Sequence, residues 1–370
     1  MQIQLIHLFI DKFANLLIYK FANFLLYLQV NFEMMVQSLL ESFLHANVLV
    51  IGDVMIDAYL NGKVNRISPE APVPILNVKD RDYRLGGAAN VASNIKKLGA
   101  NPILCSVIGK DDKGNLFLDS LKKQQLDTIG IIQSTERKTT IKYRIIGNRM
   151  QMLRIDDEDE FLLTKNENDL FIENIKQIFN THTIHAIVFE DYDKGVLNKD
   201  NIHQIIQLAN EKGIPTTTDP KRRNFHFYDG VTLFKPNLKE LCDALHLNQE
   251  EVLIEDIHSA AKKFAELHQI RYIMVTLSEK GISIYDAKED HFFHQPAFLR
   301  EVSDVSGAGD TVISVATLCI SHGLKAQDIA KISNIAGGIV CQYVGVVPID
   351  PILLAKEMEV LYSKNTNSES

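Results

Sequence analysis

The sequence predicts an α/β fold, a doubly wound, mostly parallel sheet flanked by helices with a small β-strand lid, and three observations carry that reading. First, short β-rich runs recur from Asn47 onward: Val48–Ile51, Pro102–Ile108, Ala186–Glu190, Pro215–Asp219, Thr232–Lys235 and Tyr272–Leu277. Second, intervening stretches such as Asn201–Lys212 and Ser259–His268 carry apolar residues at helical spacing, the alternation expected of strands joined by crossover helices. Third, two regions break the rhythm. Ala58–Asn77 contains Ser68-Pro69-Glu70-Ala71-Pro72-Val73-Pro74, too rich in proline for a helix. Thr139–Ile155 reads as two strands, Thr139–Ile146 and Met150–Ile155, joined at Gly147-Asn148, a pair suited to the positive φ angles of a tight hairpin. Both regions are strands outside the main sheet, hence the lid.

Composition bounds the function. Hydrophobic residues make up 46% and charged residues 23%, the balance of a chain that buries a sizeable core rather than staying disordered. A formal net charge of −8 argues against a broad basic surface for nucleic acid, while a small anion in a local pocket stays compatible with it. Cys105, Cys242, Cys319 and Cys341 lie far apart and form no CxxC pair, so reduced thiols in a cytoplasmic compartment are the simpler reading. HExxH, Cys/His clusters and GxSxG are missing from the sequence, which leaves a zinc hydrolase or an elbow-type serine hydrolase without support.

Residues 1–33 differ from the rest: apolar and aromatic, with Lys12 and Lys20 as the only lysines and no Gly or Pro. The longest stretch there without a charge, Phe21–Phe32, falls short of the roughly 20 residues of a membrane-spanning helix. Nor does the segment open with the positive cluster of a secretory signal. It is expected to be a dispensable extension with no membrane role, the working protein beginning at Met34 or Met35 after which a Val36–His45 helix leads into the core. A membrane-attached enzyme is the alternative it leaves open. The main domain then spans 34–362, with lid strands around 58–79 and 139–156, and a polar tail occupies 363–370.

The strongest chemical signal is Asp304-Val305-Ser306-Gly307-Ala308-Gly309-Asp310, followed by Thr311 and an apolar helical run from Val312 to Ile320 closed by Gly323. Small residues let the backbone approach a ligand, and free N–H groups at a helix start favour an anion such as a transferring phosphoryl group. Asp310, at the mouth of an anion hole made by Gly307, Ala308 and Gly309, is placed to take a proton from an attacking hydroxyl. Read alone, the segment could equally be a glycine turn with a capping aspartate. A second signal is Leu85-Gly86-Gly87-Ala88-Ala89-Asn90-Val91-Ala92, entering a helix whose Val91, Ile95 and Leu98 share a face before Gly99 ends it. Asn90 can both donate to and accept from a sugar hydroxyl, although such a segment alone more often marks tight helix-to-sheet packing.

These two motifs, in this order and roughly two hundred residues apart, resemble the two signatures of the ribokinase/PfkB carbohydrate kinases, and the resemblance covers Val48 to about Tyr362. It implies a ribokinase-like fold with a sugar-binding β lid, and an Asn-x-x-Glu element near magnesium and phosphates, matched by Asn237 and Glu240 in Lys235-Pro236-Asn237-Leu238-Lys239-Glu240. Within the family the chain is most similar to the D-glycero-β-D-manno-heptose-7-phosphate kinases that serve ADP-heptose and lipopolysaccharide core synthesis. The matching pieces are Gly52–Asp57, Arg66-Ile67-Ser68-Pro69-Glu70-Ala71-Pro72-Val73-Pro74, Asp191-Tyr192 with Lys194-Gly195, Asp219-Pro220-Lys221 and Asp304–Thr311. Three positions depart from that pattern: Glu190 in place of Ser, Arg222 in place of Gly, and Asp193 in place of a small residue.

The resemblance implies ATP-dependent phosphorylation of the heptose 7-phosphate at its anomeric hydroxyl, with Asp310 as base. Asn237, Leu238, Lys239 and Glu240 would line the ATP and Mg²⁺ region, Glu240 reaching the ion through water with no direct protein ligand assigned. Thr276, Ser278 and Gly281, after a strand, are candidate nucleotide contacts, though a plain strand-turn is the competing reading. Asp53, Asp57, Gly86, Gly87 and Asn90 are the sugar contacts. The basic lid residues Lys142, Arg144, Arg149 and Arg154 would meet the substrate phosphate, unless they are merely solvated strand residues. A monovalent-cation requirement stays open. Implied partners are ATP, a sugar phosphate, a second copy of the chain through the lid, and a separate adenylyltransferase chain. A PfkB kinase for another sugar, and a non-catalytic sugar or nucleotide sensor, are the alternatives.

Overall fold

A computed structural model describes residues 34–249, 251–298 and 300–365. The expectations placed on 1–33, and on 366–370 of the tail, lie outside the described residues. Residues 34–43 form helix α1, which buries Val36 and Phe43 and leads into strand β1 (Asn47–Gly52). In β1, Val48 and Val50 enter one hydrophobic core and Leu49 and Ile51 the other, the pattern of a strand covered by helices on both faces.

The chain continues through β2 (Val54–Ile67), β3 (Pro74–Gly87), α2 (Ala88–Lys97), β4 (Asn101–Gly109), α3 (Asp112–Lys123), β5 (Gly130–Ser134), β6 (Ile141–Gly147) and β7 (Met150–Asp157). Next come α4 (Lys165–Thr181), β8 (Ala186–Glu190), α5 (Lys199–Glu211), β9 (Thr216–Asp219), β10 (Leu233–Phe234), α6 (Leu238–Leu245) and α7 (Ile254–His268). The last elements are β11 (Tyr272–Thr276), β12 (Ile282–Asp286), β13 (His291–Gln295), α8 (Ala308–Ser321), α9 (Ala326–Val340) and α10 (Pro351–Asn365). Helix α10 therefore runs through residues 363–365, the start of the expected polar tail. No helix among the described residues is long and apolar enough to cross a membrane.

The main sheet has the order β13-β12-β11-β10-β9-β8-β1-β4-β5. Every pairing from β5 to β11 is parallel, and β12 and β13 close one edge antiparallel. Helices α2, α8 and α9 pack on one face and α4, α5 and α7 on the other, so the doubly wound architecture expected from the sequence is the one observed. The expected strands are all present; β5, β12 and β13 were not anticipated.

The lid is a separate four-stranded sheet of order β3-β2-β6-β7. Its first two strands, β2 and β3, each run 14 residues, and the proline-rich segment 68–73 is the turn between them rather than strand. The hairpin joining β6 and β7 turns one residue later than Gly147-Asn148. Gly147 pairs with Met150, and the two central residues are Asn148 (φ 53°) and Arg149 (φ 68°), both left-handed as a type I′ turn requires. Gly147 is glycine for space, since a Cβ there would lie 2.4 Å from Met152 Sδ and 2.8 Å from Val64 Cγ2. A left-handed backbone costs a non-glycine residue about 1–2 kcal/mol, and Arg149 is exposed. Arg149→Gly is therefore expected to stabilise the protein by about 1 kcal/mol, read as a higher urea midpoint; an unchanged or lower midpoint would count against this turn geometry.

Candidate active site

In a parallel sheet, strands leave their C-terminal ends on one side, and a crevice opens where the strand order reverses. Here that place is β1, flanked by β4 and β8. The ends of β1, β8 and β9 deliver Asp53, Glu190 with Asp191, and Asp219 to this side, and Lys235 follows β10. Helices α2 and α8, which pack against each other on one face, start over the same opening.

Both helices begin at a left-handed glycine: Gly87 (φ 60°) precedes α2 and Gly307 (φ 77°) precedes α8. Helix α8 starts at Ala308, earlier than the Val312 expected from apolar spacing, so Asp310 belongs to its first turn. Asn90 holds the matching position in α2. The two side chains meet: Asn90 Nδ2 donates to Asp310 Oδ2 at 2.7 Å, and Tyr192 Oη donates to Asp310 Oδ1 at 2.8 Å. Asp310 is 3% exposed. Burial raises its pKa above the usual carboxylate value and the Asp219 charge adds to this, while the Asn90 and Tyr192 hydrogen bonds and Lys235 oppose it. Burial and the Asp310 charge push Tyr192 well above its usual value, so it remains a donor. A carboxylate held this way, beside a glycine turn, can take a proton from a hydroxyl.

Two ammonium groups stand beside the same turn. Lys235 Nζ lies 2.8 Å from Asp219 Oδ2, and Lys221 Nζ lies 2.5 Å from Glu240 Oε1 and 3.6 Å from Asp219 Oδ1. A Cβ built on Gly309 would be 3.4 Å from Asp219 Oδ2 and 3.7 Å from Lys235 Nζ, so Lys235 borders the anion hole. Burial alone would raise the Asp219 carboxyl, but Lys221 and Lys235 outweigh it and hold it below its usual value. At Glu190 the same two lysines are outweighed: burial, then the charges of Asp219 and Asp310, push it well above its usual value against the pull of Lys235 and Lys221. Both its oxygens and Asp219 Oδ1 are buried without a hydrogen-bond donor among the described residues. Unsatisfied carboxylates next to two ammonium groups fit a magnesium-bound triphosphate. No three His, Cys, Asp or Glu side chains among the described residues are grouped to hold an ion, so phosphate oxygens would supply most of its ligands.

The remaining candidate residues divide. Asn237 is the N-cap of α6: its Oδ1 accepts from Glu240 N at 2.8 Å, and Glu240 Oε2 accepts from Asn237 N at 2.9 Å. The Asn-x-x-Glu element is thus a capping box that also turns the Glu240 carboxylate to Lys221. Leu238 and Lys239 form the first turn of α6, with Lys239 exposed. Thr276 bridges to Asn237, whereas Ser278 and Gly281 shape the turn into β12. Gly281 (φ 91°) is glycine because a Cβ would lie 2.1 Å from the Gln295 carbonyl. Gly86 leaves room for Asp57, whose Oδ2 would be 2.5 Å from a Cβ there.

Asp53 has a different job from the sugar contact expected. Its carboxylate accepts from the backbone N–H groups of Tyr192 (2.9 Å), Lys194 (3.1 Å) and Val196 (3.0 Å), so it clamps the loop that presents Tyr192. Asp57 and Arg144 form a largely buried ion pair across β2 and β6. Lys142 is bound to Asp156 (3.0 Å) and Glu158 (2.8 Å), and Arg154 to Asp156 (2.9 Å). These three lid cations are ion-paired, Lys142 and Arg144 while largely buried and Arg154 while half exposed.

Tyr192, Lys221 and Lys235 were not among the candidates from sequence, though each stands within a motif already noted or directly before one. The signal that finds them is position: all follow the C-terminal end of a parallel strand. Among the departures from the related pattern, Arg222 is exposed and Asp193 adopts φ 57°, its N–H donating to Asp191, a conformation a small residue enters more easily. Asp191 itself, buried and close to the Asp53 charge, is pushed up to about 7.

The curated relatives include the Bifunctional protein HldE of Methylobacillus flagellatus, 40% identical over 314 residues, and that of Helicobacter pylori strain HPAG1, 39% identical over 302 residues. These alignments cover 84% and 80% of this chain, and the chain spans 63% of the length of either relative. Among solved structures, phosphofructokinase-2 from Escherichia coli in complex with potassium superposes with a TM-score of 0.70 at 16% identity, covering 86% of this chain and 99% of that one. Ribokinase from Arabidopsis thaliana complexed with ribose and ATP gives 0.64 at 17% identity, covering 84% and 99%; both share the fold. The sequence profile described as pfkB family carbohydrate kinase matches residues 45–352, and the chain belongs to that family.

Proposed function

We propose that the protein transfers the γ-phosphoryl group of ATP to the anomeric hydroxyl of D-glycero-β-D-manno-heptose 7-phosphate, giving the 1,7-bisphosphate, in the cytoplasm. The observation that carries the chemistry is the buried Asp310 carboxylate, oriented by Asn90 and Tyr192 beside the Gly307–Gly309 turn. In this reading Asp310 accepts the hydroxyl proton as the sugar oxygen bonds to phosphorus, the bond to the bridging oxygen breaks, and ADP leaves. Backbone N–H groups of the turn and the Lys235 ammonium stabilise the charge on the transferred group. Mg²⁺, when bound with ATP, neutralises phosphate charge and aligns the chain for in-line attack.

Substrate choice rests on the Arg66–Pro74 string and on similarity to the HldE proteins. The 7-phosphate is expected to draw lid cations away from their carboxylates, Arg144 from Asp57 and Lys142 from Asp156 and Glu158. A second copy is proposed to pair through the lid, one face of which aligns Tyr83, Ala58, Tyr143 and Ile155 across the strands, buried at Ala58 and exposed at Tyr83, Leu153 and Ile155. The curated relatives are named bifunctional, so in them two functions share one chain. The adenylyltransferase that follows this kinase is accordingly proposed as a second unit, on this polypeptide or another, in place of the separate chain first expected.

The test is a panel of sugars and sugar phosphates with Mg-ATP, following ADP release and the phosphorylated product. The heptose 7-phosphate is expected to give the highest kcat/KM and the free heptose to be a poor substrate. Equal efficiency on the two would remove the case for phosphate recognition and favour a kinase for another sugar; binding of sugar and ATP with no turnover on any member would favour a sensor.

A further inference from the structure

The phosphate-facing turn is not shaped by α8 alone. Asp304 Oδ1 accepts from Ser306 N at 3.0 Å and Ser306 Oγ at 2.8 Å, while its Oδ2 accepts from Gly345 N at 2.8 Å. The segment 344–346 thus braces the turn from behind. Val346 also backs Gly307 directly, since a Cβ on that glycine would sit 3.3 Å from Val346 Cγ1.

On its other side the same segment is gripped by the lid. Arg84 Nη1, from β3, donates to the carbonyls of Val344 and Val346, each at 3.1 Å, and Arg84 Nε donates to Asp82 at 2.7 Å. The guanidinium lies 4.8 Å from the centre of the Tyr59 ring, and Tyr59 Oη accepts from Val346 N at 3.4 Å. Gly345 has φ 75°, and a Cβ there would be 2.7 Å from Arg84 Nη1 and 2.8 Å from Tyr59 Oη; the approach is too close for any side chain. Arg144 joins this contact to the sugar side, pairing with Asp57 while its guanidinium lies 5.3 Å from the Tyr59 ring centre.

We propose that Arg84 and Tyr59 are positioning residues which latch the lid onto segment 344–346 and so hold the Ser306–Gly309 turn in its phosphate-binding shape. Closing the lid over a sugar and assembling the anion hole then become one event, and phosphoryl transfer is favoured only when both have happened. The kinetic part of this inference rests on the kinase reading above; the mechanical part does not.

Hydrogen–deuterium exchange of the substrate-free protein tests the mechanical part. In Arg84→Met, and from the opposite side in Gly345→Ala, peptides covering 303–310 and 343–348 are expected to exchange about tenfold faster, with β1 and β8 unchanged. Arg84→Lys, which keeps a donor but not the fork, should fall between. Unchanged exchange at 303–310 would overturn the latch, and so would equal acceleration in β1 and β8, which signals general destabilisation. Once a substrate is in hand, Arg84→Met should lower kcat by about 10²-fold, the scale of a 1 Å misplacement, with ATP affinity within about twofold; an unaltered kcat would overturn the catalytic consequence. Because exchange is read without substrate, rejection of the heptose kinase reading and rejection of the latch are separate outcomes.

Discussion

Asp310→Asn is expected to lower turnover by about 10²–10⁴-fold, the usual contribution of a general base, while ATP and sugar binding stay close to wild type. The substitution keeps one acceptor oxygen, for Tyr192, and nearly the same volume; the Asn90 amide must turn over to present its oxygen to the new NH2 group, so shape survives and proton acceptance does not. The sign of the pH effects follows from burial. Asp310 is raised above the ordinary carboxylate value, so wild-type kcat should fall on the acid side, through a value above that ordinary range. For stability, a carboxyl raised on folding binds more protons in the folded state, so its contribution becomes unfavourable as pH rises from the ordinary value through the raised one. Asp310→Asn removes that cost, and its melting temperature at pH 8 should equal or exceed wild type. A variant with wild-type kcat on a proven substrate would sink the assignment of the base; a lower melting temperature at pH 8 would contradict the burial argument.

Lys235→Met is expected to damage stability and activity together. Lys235 is 2% exposed and pairs with Asp219 in a pocket that also holds Glu190 and Asp310. Breaking a buried pair from one side costs about 3–5 kcal/mol because the partner charge is left behind. Lys221, 3.6 Å from Asp219, remains and should keep the loss near the lower figure. Loss of a cation beside the anion hole should lower kcat by about 10²–10³-fold, the scale found for one stabilising donor. Lys235 also opposes the upward shift of Asp310, so the acid limb of any residual activity should move to higher pH. Urea unfolding and a kcat–pH series check the two effects. A variant as stable as wild type, with its acid limb unmoved, would show that Lys235 does not neutralise this pocket.

The parts of this molecule legible in the sequence are those encoded locally. Strand β1 shows as a β-branched run because both its faces are buried, and the two glycine motifs show because a helix start beside a ligand needs consecutive small residues. Long-range assembly was harder to read. Tyr192, Lys221 and Lys235 reach Asp310 and Asp219 only because β8, β9 and β10 lie side by side, and nothing within each segment reveals that order. Asp53 resembled a sugar contact because a short carboxylate after a strand suits either task; its three backbone donors come from residues 192–196, far along the chain. The lid cations looked available because the acids that bind Lys142 and Arg144 lie on other segments, Asp156 and Glu158 at and beyond the end of β7 and Asp57 on β2. Asn237 and Glu240 illustrate a deeper ambiguity, since Asn-x-x-Glu is a capping box and a ligand-facing element in the same three-residue spacing. Strands β12 and β13 escaped notice because a two-strand antiparallel edge interrupts the strand–helix alternation by which the rest was found.

The central claim is that Asp310 serves phosphoryl transfer from ATP to the anomeric oxygen of a sugar phosphate. Phosphorus NMR of a reaction containing the protein, Mg-ATP and D-glycero-β-D-manno-heptose 7-phosphate tests it most directly. The account predicts a new anomeric phosphate resonance growing in step with ADP while the 7-phosphate signal persists, and no such growth with Asp310→Asn. ADP and inorganic phosphate appearing with the sugar unchanged, or the new resonance forming equally fast with Asp310→Asn, would contradict it.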